Sequence, residues 1–279
     1  MPQTVGNEAN YVGDVAPTIE LGINVYATQF TYEDDSFGTD YDKYTAAFSV
    51  AEAQEMFAKN VDFALVNANE PTNTLTIPAN YTGNVTLMNV NLAGIAVEDG
   101  ATQWLTATGE QNAIEVVGNV AVVATEEGKS AITGKNINIY GDGTVTAVGK
   151  GAHAFGIGGT ATQSINIKDV TIAYVAGGSA YGVGTDTKYY KDAPEGGAAI
   201  GSGLNGATIS LDNVTVKAAI GGSKSAAIGA MYHTGVQVSI ANSTIEYAEG
   251  GVTAAAIGSS RVSNGATEAA TTINITNST

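Results

Sequence analysis

A chain of 279 residues with 27 acidic against 11 basic side chains carries a formal charge of −16, which argues against nucleic acid and anionic membrane surfaces as partners. It has no cysteine, so neither a disulfide framework nor thiol chemistry is available. No stretch is long and apolar enough to cross a bilayer as a helix, and 35 glycines without a collagen period describe many tight corners.

Residues 1–48 hold 8 of the 27 acids together with Tyr11, Tyr26, Tyr32, Tyr41 and Tyr44, and they are read as a separate acidic, Tyr-rich segment. The opening Met1-Pro-Gln-Thr lacks the positive and apolar regions of a signal peptide, as a trimmed exported chain would too. Ile19 to Phe30 supplies a strand or two, and Glu33 to Asp42 is a loop. Ser49-Val-Ala-Glu52 then matches a capping box, with Ser49 as N-cap and Glu52 three residues on. The predicted helix covers 49–59 and stops at Asn60. A short helix ahead of many strands reads as a lid on the first coil of a β domain spanning 49–279.

Beyond the helix the pattern alternates with a period of two. Val61–Val66 reads as a buried strand, and Leu75–Asn80, Val85–Leu92, Ile114–Val123 and Ile132–Val145 continue in the same style. In Val85–Leu92, Asn89 takes a corner, while Gly141-Asp-Gly143 makes a wider one. From Ala154 a phrase recurs: Ala154-Phe-Gly-Ile-Gly158, Gly196-Gly-Ala-Ala-Ile-Gly-Ser-Gly203, Ser225-Ala-Ala-Ile-Gly229 and Ala255-Ala-Ile-Gly258. The steps Ile200 to Ile228 and Ile228 to Ile257 are 28 and 29 residues, a period that reads as a solenoid. Each copy is followed by an apolar pair, Ile165/Ile167, Ile209/Leu211, Val238/Ile240 or Ile273/Ile275, expected to fill one interior slot of successive coils. Asp169, Asn213, Asn242 and Asn277 come next, and Asn and Asp tolerate the left-handed backbone of a sharp corner. Thr272–Thr279 breaks off within the phrase, so that edge is expected to be followed by further chain or to pair with something.

The glycine-rich Ala-Ala-Ile-Gly phrase, Ile-x-Ile-x-Asn-x-Thr and the helix-then-coils opening resemble the right-handed parallel β-helix proteins of the pectate-lyase-like class. More narrowly they resemble surface β-helix proteins of gut and other anaerobic bacteria, including carbohydrate-binding β-helix domains. The resemblance covers residues 49–279. It implies an all-β fold, a right-handed parallel β-helix with an N-terminal capping helix, in a secreted or cell-surface bacterial protein. The class contains lyases, hydrolases, adhesins and binding modules, so fold alone does not choose among them.

A lyase of this class needs a base, and Arg261, the sole arginine, has no acids beside it in sequence. A hydrolase needs paired carboxylates; Asp169 already occupies a corner slot, and Asp212 is offset from it by one. His153 and His233 sit at different offsets from the repeat and do not suit a shared metal site. The cluster Asp34, Asp35, Asp40 and Asp42, with Glu33, supplies hard oxygen donors for Ca²⁺ but lacks EF-hand spacing; otherwise no cofactor is expected. Six Asn-x-Thr sequons, at Asn80, Asn84, Asn213, Asn242, Asn274 and Asn277, are read as structural, three being corner residues. An ice-binding array fails, because Thr106/Thr108, Thr144/Thr146 and Thr185/Thr187 fall in different slots.

The step from Ile157 to Ile200 is 43 residues, about 15 longer than the next, and the excess reads as a protruding loop. Within it Tyr189 and Tyr190 stand between Lys188 and Lys191, an aromatic pair suited to stacking on sugar rings with cations for acidic ones. The expected function is therefore non-enzymatic: adhesion or carbohydrate binding, with a glycan or a host or cell-surface protein as partner. A polysaccharide lyase or glycoside hydrolase and a structural spacer are the alternatives.

Overall fold

Backbone polar groups left by a strand must find partners, and here they find them in the next pass of the chain. The computed structural model describes residues 45–98, 114–178, 195–232, 234–260 and 270–279. Its elements begin with β1 (Thr45–Ala47), α1 (Val50–Lys59), β2 (Phe63–Val66), β3 (Asn69–Ile77), β4 (Val85–Val97) and β5 (Ile114–Val123). Shorter strands follow: β6 (Ile132–Gly134), β7 (Asn136–Tyr140), β8 (Thr144–Val148), β9 (Ile157–Gly159), β10 (Ser164–Lys168) and β11 (Thr171–Ala176). Then come β12 (Ile200–Ser202), β13 (Thr208–Asp212), β14 (Thr215–Val216), β15 (Ala219–Ile220) and β16 (Ile228–Ala230). The series closes with β17 (Gln237–Ala241), β18 (Thr244–Ile245), β19 (Ala248–Glu249), β20 (Ile257–Gly258) and β21 (Thr272–Thr276).

The named strands pair in parallel, and they do so in three ladders. In the first, Ile137, Ile165, Ile209, Val238 and Ile273 form one column, and Ile139, Ile167, Leu211, Ile240 and Ile275 the next. The second aligns Val90, Val120, Val145, Ile172, Val216 and Ile245. The third aligns Leu75, Ile95, Ile132, Ile157, Ile200, Ile228 and Ile257. Strand β4 crosses all three ladders, turning at Asn89. The chain thus visits them in a fixed order on each pass, and the whole is one curled, solenoid-like parallel sheet. Residues from every ladder join a single buried cluster. Each such Ile or Leu contributes about 1.5–3 kcal/mol by leaving water.

The expected corners are where the backbone turns left-handed. Asn89, Asp169, Asn213, Asn242 and Asn277 all have φ between 50° and 59°. Their side chains link rungs: the Asn213 amide donates to Asp169 at 2.7 Å and the Asn242 amide to Asp212 at 2.9 Å. In the third ladder the recurring glycine has a different cause. Gly158, Gly201, Gly229 and Gly258 form a column, and a Cβ on any of the first three would collide with the carbonyl oxygen of the next. Rungs there approach backbone to backbone.

The helix matches its sequence signature. Ser49 has extended backbone and its hydroxyl accepts from the Glu52 N–H at 3.2 Å, while Glu52 accepts from the Phe48 N–H rather than from Ser49. Asn60, at φ 54°, ends the helix by donating to the carbonyls of its last turn. Val50, Ala53 and Phe57 are buried against the first strands, and Phe57, Phe63 and Tyr81 pack edge-to-face with centroids 4.8–6.4 Å apart. No helix among the described residues is long and apolar enough to cross a membrane.

One expectation needs correcting. Ile273 and Ile275 hold their columns, yet they are 42% and 54% exposed, against 1% for Val238 and Ile240 one rung earlier. Burial in a ladder needs a neighbour on both sides, and among the described residues β21 is paired to β17 alone.

Candidate functional site

The acids Asp34, Asp35, Asp40 and Asp42 lie outside the described residues, as do Lys188, Tyr189, Tyr190 and Lys191, together with His233 and Arg261. The described flanks of the long insertion are fastened to one corner. The Gly178 N–H donates to the Ala154 carbonyl at 2.7 Å, and the His153 N–H to the Glu195 carbonyl at 2.8 Å. His153 is exposed at φ 55°, a corner residue as expected.

Among the described residues no three His, Asp or Glu side chains gather as a metal site. Asp169 and Asp212, the carboxylates weighed for hydrolysis, each accept a corner amide from the next rung, which gives them a structural occupation. A shallow cavity of about 400 Å³ beside α1 is lined by Gln54, Phe57, Ala58, Asn60, Pro78 and Asn80. That lining holds no acid, base or nucleophile.

The second ladder offers more. Between paired positions Ile172/Val175, Val216/Ala219 and Ile245/Ala248 lie two residues on each rung, so Tyr174, Ala218 and Tyr247 share one position. Backbone bonds confirm the adjacency: Val175 N–H donates to Ala218 O at 2.9 Å, and Ala219 N–H to Tyr247 O at 3.0 Å. Tyr174 and Tyr247 are 41% and 46% exposed, whereas Ile172 and Val175 beside them are fully buried. The bulge between Ile172 and Tyr174 is what frees the tyrosine from the inward alternation. Two rungs separate the tyrosines, about 9.5 Å at the usual strand spacing, with the small Ala218 as the floor between.

Chemically the slot is amphipathic. Apolar atoms in contact lie about 3.5–4.0 Å apart, so a ring held between two tyrosine faces needs them about 7–8 Å apart, and a puckered saturated ring somewhat more. Exposed Lys217 and Glu246 occupy the adjoining position on their rungs and add one charge of each sign. The Tyr247 hydroxyl donates to Glu249, and that bond, followed by desolvation and the nearby negative charge, raises the pKa of the phenol. The hydroxyl therefore stays protonated and directed along its strand. Val123, Val148, Ala176, Ile220 and Glu249 form the next column on the far side of the tyrosines, and within it Ala176, on the rung of Tyr174, is buried.

Sequence reasoning passed over this pair, although a signal exists. Thr171-Ile-Ala-Tyr174, Thr215-Val-Lys-Ala218 and Thr244-Ile-Glu-Tyr247 place the three residues at one offset in the repeat. The same alignment stacks Thr144, Thr171, Thr215 and Thr244 in a column that the Thr-x-Thr comparison did not detect. The neighbouring outward position holds Thr146, Tyr174, Ala218 and Tyr247, so the column is a single threonine wide.

The fold and this surface define a parallel β protein of solenoid-like architecture. The chain matches no protein-family model, no curated protein and no solved structure.

Proposed function

We propose that the chain is a non-enzymatic, exported carbohydrate-binding or adhesion module, built as a closed right-handed parallel β-helix of the pectate-lyase-like class. The observation that supports binding is the pair of exposed tyrosines held two rungs apart over Ala218 on a rigid ladder. Aromatic faces stack on the apolar faces of sugar rings, while Lys217, Glu246 and Glu249 offer hydrogen bonds to hydroxyls. Lys188, Tyr189, Tyr190 and Lys191 belong to the same proposal as a second contact, because they follow Tyr174 by 14 to 17 residues in the chain. The lysines would favour acidic sugars that the overall charge of −16 repels.

Calorimetry with neutral and acidic oligosaccharides tests this. Replacing Tyr174 and Tyr247 together by alanine should weaken binding about 5- to 160-fold, since two aromatic contacts at about 0.5–1.5 kcal/mol each sum to about 1–3 kcal/mol. Full-strength binding by that variant, but not by Tyr189→Ala/Tyr190→Ala, would move the site to the insertion. No binding of any glycan by the parent favours the spacer, a reading supported by outward polar groups that already bond one another, such as Asn166 to Asn138 and Asn91 to Asn69, both at 2.8 Å. Cleavage of a uronate or neutral polysaccharide would instead establish the lyase or hydrolase alternative.

A further inference from the structure

We infer that the cavity beside α1 is a binding site for the acetamido group of an N-acetylated amino sugar. The site is separate from the tyrosine slot and shares with the proposed function only the class of ligand. Its volume of about 400 Å³ falls near the lower end of small-molecule sites, which run from about 300 to 1,000 Å³. The walls are braced by the protein itself. One is the later half of α1, and the other is the turn from Pro78 to Tyr81, closed by the Tyr81 N–H donating to the Pro78 carbonyl at 3.0 Å. Two carboxamides tie helix to turn. Gln54 Nε2 donates to the Thr76 carbonyl at 3.2 Å, and Asn60 both donates to the Thr82 hydroxyl and accepts from the Thr82 N–H, each at 3.0 Å. Phe57 is held edge-to-face by Phe63 and Tyr81. A cavity fixed in this way needs little further ordering of its side chains on binding.

Two polar groups of the lining remain uncommitted. A carbonyl only accepts, so the bond to Thr76 fixes which way the Gln54 amide points and leaves its Oε1 as a spare acceptor. Among the described residues nothing bonds to the exposed carboxamide of Asn80, which stands at the third position of the turn and keeps both donors and its acceptor. Phe57, Ala58 and Pro78 supply the apolar part of the lining.

That set matches a secondary amide carrying a methyl group. A trans amide directs its N–H and its C=O to opposite sides, so it needs an acceptor on one wall and a donor on the other. Gln54 Oε1 on the helix and the Asn80 amide on the turn are such a pair, and the methyl covers the apolar surface beside them. Hydroxyls alone would satisfy Gln54 and Asn80 but leave Phe57, Ala58 and Pro78 wet. The lining carries no charge, so the ammonium of a free amino sugar would lose hydration without gaining an ionic partner. An acetylated lysine offers the same group on a long flexible stem, whose ordering costs more than that of a rigid sugar ring.

Saturation-transfer NMR of the 279-residue chain with N-acetylglucosamine tests this. The acetyl methyl should receive the largest share of saturation, and glucose and glucosamine should bind at least about 10-fold more weakly. Asn80→Asp keeps the shape and suits the turn but exchanges the donor for an acceptor, and should weaken binding at least about 10-fold. Ala58→Leu, a good helix former at an exposed position, should fill the cavity and abolish binding with the melting temperature unchanged. No methyl saturation, equal binding of glucose, or binding that survives both substitutions would each overturn the proposal, as would tighter binding of an acetyl-lysine peptide. Tyr174→Ala/Tyr247→Ala should leave the acetyl signal intact. Its loss in that variant would overturn this site and place acetamido recognition in the tyrosine slot, whereas a tyrosine pair without effect on any glycan leaves this site standing.

Discussion

At the scale of single residues, the hydroxyl of Tyr81 carries an unusual share of the packing beneath α1. It lies against the carbonyls of Val61 and Asn84 at 2.9 and 2.7 Å, and its ring touches Phe57 and Phe63. Burial raises its pKa well above the usual phenol range, and the negative charge of Asp62 adds to this. The unfolded phenol ionises near pH 10. A folded value above the unfolded one means that the contribution of Tyr81 is complete below about pH 10 and is lost as pH climbs towards the folded value. Tyr81→Phe should cost about 1 kcal/mol at neutral pH, the worth of a net hydrogen bond. In chemical denaturation from pH 8 to 11, the gap between parent and variant should narrow above pH 10. A gap independent of pH would show that the phenol's ionisation is not linked to folding.

Elements show what a repeat makes readable. The cap of α1 was legible because the Ser49 side chain and the Glu52 amide meet by local geometry alone, whatever the rest of the chain does. Ser49→Ala should destabilise by about 0.5–2 kcal/mol; thermal melts within error of the parent would count against the cap. The inner columns were legible too, since a slip of one residue would turn Ile165 and Ile167 outward. Two things were hidden. Strand β4 runs through its corner at Asn89 without a break, so its third portion, Gly94–Val97, is not separated in sequence from the first two. The tyrosine pair was hidden because position in the stack, not adjacency in the chain, brings Tyr174 and Tyr247 together. The insertion that lengthens the step from Ile157 to Ile200 to 43 residues falls between them and obscures the count. Adjacent Tyr189 and Tyr190 were visible for the opposite reason.

For the whole molecule, equal chemistry at unequal depth gives the sharpest contrast. Ile228 is fully buried between Ile200 and Ile257, and Ile275 is 54% exposed beside Ile240. Ile228→Ala should cost about 2–5 kcal/mol, and Ile275→Ala less than about 1 kcal/mol, because little apolar surface is returned to water. Equal losses in urea titrations would mean that the rungs share one cooperative fate regardless of position. Unequal ones are the behaviour of a stack in which each unit is held by its immediate neighbours.

The three parallel ladders also carry a mechanical meaning. Their inter-rung hydrogen bonds lie along the direction in which rungs are stacked, perpendicular to the strands. A pull along the stack would load the bonds of one rung at a time and peel the sheet open from an end. A pull along the strands would shear many bonds together and meet greater resistance. A protein tethered at a surface by such a stack would yield in steps under an axial load, letting out one pass of chain for each rung lost, and would hold as a unit against a sideways drag.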